Sequence, residues 1–141
     1  MDKTEKASKS EVSGEVEDNS PEQQSLTHQE AIDLAVQHHT AGDLAKAENI
    51  CQQILRTNLN QPDALHLLGI ISHQKGKNNR AIDLITQALE IKPNYAEAHN
   101  NLGLTFHELG RLDDAVFHYR NALSIKPDHI EAHCNLGVAL H

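Results

Sequence analysis

From His28 onward the chain alternates apolar stripes at three- and four-residue steps with short breaks that carry glycine or proline. One stretch shows the pattern in full. Ala98, Leu102, Leu104, Phe106 and Leu109 make one stripe, and Gly110 ends it. Leu112, Ala115, Val116, Tyr119, Ala122, Leu123 and Ile125 make the next, closed by Lys126-Pro127. That spacing gathers each set on one side of a helix, and glycine or proline just past the last periodic residue stops it. The pattern predicts helices in pairs, and an all-α chain.

The pairs repeat. Gly42, Gly76 and Gly110 stand 34 residues apart, and so do Gly69, Gly103 and Gly137. Ala47, Ala81 and Ala115 keep the interval, as do Leu55, Leu89 and Leu123. Residues 63–96 align with 97–130 without a gap at eleven identities. A period of this length marks an array in which each unit buries its apolar face against its neighbour. The register divides the chain into 28–61, 62–95, 96–129 and the first helix of a fourth unit, 130–141. Gly103, Ala115 and Ala122 are small where helices cross closely. Asn60 with Asp63, Asn94 with Glu97, and Asp128 with Glu131 read as capping boxes at the first-helix starts. Lys92 and Lys126 fall at the ends of second helices, where a cation suits the helix dipole.

Residues 1–27 differ. Their apolar side chains are Met1, Ala7, Val12, Val16 and Leu26, and three lysines face seven acids, a charge of −4. So little to bury cannot offset a backbone ordering cost of roughly 1–2 kcal/mol per residue. The expectation is a disordered acidic leader.

Charge narrows the function further. Twenty acids against twelve basic residues give −8 overall, with 3% aromatics and no Trp. No cationic surplus exists to neutralise phosphates, so nucleic acid and anionic membranes are not expected partners. No apolar run reaches bilayer length and the N-terminus opens no signal peptide. Cys51 and Cys134 make no disulfide framework. A cytoplasmic protein is expected.

The units resemble the tetratricopeptide repeat, on Leu68-Gly69, Ser72, Ala81, Ile85, Ala88 and Pro93 in one unit. The next carries Leu102-Gly103, Phe106, Ala115, Tyr119, Ala122 and Pro127. A degenerate first unit keeps Leu34-Ala35, Ala47 and Ile54 but has Leu59 where proline belongs. The resemblance implies a right-handed superhelical α-solenoid of helix–turn–helix hairpins, whose first helices line a groove that takes a peptide or partner protein. It implies no cofactor and no chemistry in the repeats themselves. The unfinished fourth unit, with Leu136, Val138 and Leu140, suggests a fragment of a longer array or an edge for self-association.

Candidate groove residues follow from helical spacing. His39, His73, His107 and His141 form a column at the period, seven residues after Ile32, His66, Asn100 and Cys134 on the same face. Protonated, such a column would bind acidic groups. Zinc is not expected there, because first helices spaced roughly 8–10 Å apart do not bring ligands to about 2.0–2.1 Å. Asn101 and Asn135 resemble the asparagine ladder of protein O-linked N-acetylglucosamine transferases, which implies amides that bond a peptide main chain. An amide suits that task, having both donor and acceptor. On that resemblance the chain could be the repeat arm of a larger glycosyltransferase. The carboxylate clamp of chaperone-tail binders is not expected: its offsets hold Ile32, Val36, Leu67, Glu97 and Asn101, or His66, Ile70, Asn101, Glu131 and Asn135, with no cation.

Overall fold

A computed structural model describes residues 27–141. The leader expected over residues 1–27 lies outside the described residues except for Thr27. Seven helices follow in order: α1 His28–Thr40, α2 Leu44–Thr57, α3 Pro62–Gln74, α4 Asn78–Ile91, α5 Ala96–Glu108, α6 Leu112–Ile125 and α7 Ile130–Ala139. The chain is all-α among the described residues, and its helices pack as hairpins. The array proper is the unit Ile32–His141. Just before it, Thr27 and Glu30 form a reciprocal capping box, Glu30 N–H to Thr27 Oγ1 at 3.0 Å and Thr27 N–H to Glu30 Oε1 at 2.8 Å.

Each hairpin turns on a glycine at positive φ: Gly42, Gly76 and Gly110, at 87°, 79° and 78°. The residue after each glycine donates back to the helix it leaves, as Lys77 N–H does to Ser72 O at 2.8 Å and Arg111 N–H to Phe106 O at 2.9 Å. This closure satisfies the last carbonyls, and only glycine takes the left-handed backbone at no steric cost.

The three expected capping boxes do not form. The N-caps are Gln61, Tyr95 and His129, one residue later than Asn60, Asn94 and Asp128. At α3 proline is the cause. Pro62 sits inside the first turn of α3, which makes Gln61 the cap. After α6, His129 N–H closes a turn on Lys126 O at 3.0 Å, and Asp128 is spent inside that turn. His129 then caps α7 itself, accepting from Ala132 N–H on Nδ1 at 3.2 Å. The acids find other work: Asp63 pairs with Lys92 at 3.8 Å and Glu97 with Lys126 at 4.0 Å. Exposed pairs of this kind contribute about 1 kcal/mol or less each.

Consecutive helices pack throughout α2 to α7, and the first helices also meet directly, α3 on α5 and α5 on α7. One core joins Ala35, Ala47, Cys51, Leu65, Leu68 and Ile71. A second joins Ile85, Ala98, Leu102, Phe106, Ala115 and Tyr119. The glycine column inside the first helices is what lets hairpins close. A Cβ on Gly69 would lie 2.5 Å from Ile85 Cγ1, and one on Gly103 would lie 2.7 Å from the Tyr119 ring. Gly137, in the same column, has open space instead. Gly137→Ala is therefore expected to keep or raise stability, by up to about 1 kcal/mol of helix propensity. The thermal midpoint reads the change.

Candidate functional site

The face shared by the first helices is built by a run of polar contacts, each between one residue and another 35 positions later. His39 Nε2 meets Gln74 Oε1 at 2.8 Å across α1 and α3. Asn101 Nδ2 donates to His66 Nε2 at 2.8 Å across α3 and α5. His73 Nε2 lies 2.9 Å from Glu108 Oε2, off the line of a hydrogen bond. Asn135 Nδ2 donates to Asn100 Oδ1 at 3.0 Å across α5 and α7. The period is 34 residues, so adjacent first helices meet with a one-residue offset. The contacts form a polar seam along that face.

The seam is deepest at His66 and Asn100, both buried. With an amide N–H pointing at Nε2, the His66 proton sits on Nδ1, which donates to Tyr95 OH at 2.9 Å. Burial and the nearby Asp63 carboxylate push the Tyr95 phenol up, and Asp63 pairs with Lys92. Burial pushes His66 down to about 4, against the pull of Asp63 and Glu97. The ring is therefore neutral at pH 7 and fixed in one tautomer. Asn100 is fully buried, and its Oδ1 depends on Asn135. Asn135→Ala removes that donor and is expected to cost about 1 kcal/mol, read as a lowered urea midpoint.

The residues singled out by sequence thus fall into two groups. His66 and Asn100 are inside, holding the seam. His39, His73, Asn101, His107 and Asn135 are half-buried along the face, and Cys134 and His141 are exposed. Cys51 is buried, and burial with the nearby Glu48 pushes its thiol up to about 12, which leaves it protonated and unreactive. Among the described residues no group of three His, Cys, Asp or Glu is placed to hold a metal ion. No helix among them is long and apolar enough to cross a membrane. Sequence reasoning missed Gln74, Glu108 and Tyr95. The signal was an interval of 35 rather than 34, visible only once one asks what lies beside a residue in the next first helix.

A family model described as TPR repeat matches residues 69–110 and 103–141. No curated protein matches. Among solved structures, a mutant of the O-GlcNAc transferase of Thermobaculum terrenum is similar at 30% identity and a TM-score of 0.78. That likeness covers 80% of this chain and 22% of the transferase. MamA is similar at 25% identity and a TM-score of 0.72, over 79% of this chain and 65% of MamA. The chain therefore spans less than two thirds of either protein. The first TPR of Spaghetti (RPAP3), bound to an HSP90 peptide, shares the fold at 17% identity and a TM-score of 0.74, over 82% of this chain and 94% of that one.

Proposed function

The chain belongs to the TPR repeat family, and from that premise we propose that its first-helix face holds an extended segment of a partner protein. Domains of this family generally serve contacts between proteins. One observation carries the reading. Asn101 and Asn135 each commit one amide N–H to the seam, and each keeps a second N–H and its carbonyl oxygen. That is the set a peptide main chain requires. The seam bonds also fix the amides in place before any ligand arrives, which lowers the entropy lost on binding. His107, half-buried in the last turn of α5, lies on the same face. Neighbours in fold support the mode, since SycD is described with a peptide of the translocator YopD and RPAP3 with one of HSP90.

The test is a peptide selected from a random library on the folded chain. An Asn101→Ala, Asn135→Ala double substitution is expected to weaken it by roughly tenfold to a hundredfold, two lost hydrogen bonds' worth. Unchanged affinity in a variant with an unchanged circular dichroism spectrum removes the amides from the account.

A second reading is favoured by the transferase likeness. The repeats would then be the substrate-holding arm of a longer glycosyltransferase, binding while another domain carries the chemistry. Reading the gene past codon 141 tests it: repeats running into a separate α/β domain support it, and an immediate stop codon ends it.

A further inference from the structure

An open cleft of about 580 Å³ lies between the second helices α2 and α4, over α3. None of its lining residues belongs to the seam. Leu55, Leu65, Leu68 and Leu84 give it aliphatic walls, and Arg56 and Arg80 stand at it from α2 and α4. Leu59, at the place where the repeat calls for proline, adds an exposed apolar side chain. Neither arginine has an ion-pair or hydrogen-bond partner among the described residues. In a chain of net charge −8, the cleft sets two unpaired guanidinium groups beside five leucines.

The repeat did not supply this arrangement. One period on, Arg56 becomes Glu90, Arg80 becomes Asp114, Leu59 becomes Pro93, Leu65 becomes His99 and Leu84 becomes His118. There the two histidines meet, Nδ1 to Nδ1 at 3.2 Å, and His118 stacks on Phe106. The sign of the charge reverses, and rings replace two of the four aliphatic walls while Leu89 and Leu102 keep the other two.

We propose that this cleft is a second docking site, which takes an acidic, leucine-bearing peptide segment of a partner protein. The walls remove leucine side chains from water. The guanidinium forks receive the carboxylates beside them. Gln52 and Gln87, which also line the cleft, offer donors and acceptors to a peptide main chain, groups that a fatty acid would leave unused.

The experiment titrates the isotope-labelled full chain with a capped peptide of two leucines flanked by glutamates, following amide shifts. Saturable shifts at Gln52, Arg56, Arg80 and Gln87 are expected. Arg56→Glu with Arg80→Glu, both exposed positions, should weaken them roughly tenfold or more, and a leucine-to-serine peptide should not saturate. The Asn101→Ala, Asn135→Ala variant should respond as the parent does, which separates this site from the first-helix face. Three results overturn the proposal: no shifts in the cleft, shifts that survive the charge reversal, or saturation by laurate with none by the peptide.

Discussion

Acidification from pH 7.5 to 4 is expected to destabilise the array by several kcal/mol, before the carboxylates take up most of their protons. The reason is a set of rings held neutral. His66 is pushed to about 4 by burial, His118 to about 4 by burial and by His99 beside it, and His99 is lowered by burial. In the unfolded chain each titrates near 6.5. Between those values the unfolded state binds protons that the folded state refuses, so stability is complete above pH 6.5 and falls as pH drops toward 4. For the buried His66 alone the full difference corresponds to about 3 kcal/mol. His118 and His99 are more open to solvent and contribute less each. Protonating His66 also removes the acceptor that Asn101 uses, so the seam opens with the charge. Urea unfolding at half-unit steps of pH measures the slope, and His66→Gln should flatten it. A stability constant from pH 7 to 5, in the parent and the His66→Gln variant alike, would contradict this picture.

Gly103→Ala is expected to cost about 1 kcal/mol net, although alanine is the better helix former. Its new methyl would stand 2.7 Å from two Tyr119 ring carbons and 3.1 Å from Ala115 O. Tyr119 is fully buried and cannot swing away, so α5 and α6 must separate. Overpacking of this kind costs about 1–3 kcal/mol, against a helix gain of about 1 kcal/mol. The same substitution at Gly137 carries the opposite sign, because nothing stands within reach there. Guanidinium unfolding of the two variants side by side reads both signs. A Gly103→Ala variant as stable as the parent would mean the hairpin crossing is looser than its distances say.

What could be read from the sequence was whatever the backbone dictates. Helix pairing was legible because apolar steps and the period are local facts, and Gly42, Gly76 and Gly110 marked turns because left-handed backbone needs glycine. The capping boxes misled because a cap-to-acid spacing does not reveal which residue opens the helix: Pro62 in the first turn makes Gln61 the cap of α3, and the turn closed by His129 takes up Asp128. The first-helix face was legible as a column, yet the burial of His66 and Asn100 was not. Burial there depends on how closely α5 and α7 approach, and so on side chains 35 residues away. Arg56 and Arg80 escaped notice for a related reason: only the packing of α2 beside α4 brings them to one cleft.

We have proposed that an extended peptide lies along the first helices. The most direct test is amide-shift mapping of a library-selected peptide on the labelled chain. Saturable shifts are expected, centred on Asn101, His107 and Asn135 and carried through the seam to His66 and Asn100. Shifts confined to α2, α4 and α6, with the seam unmoved, would contradict it.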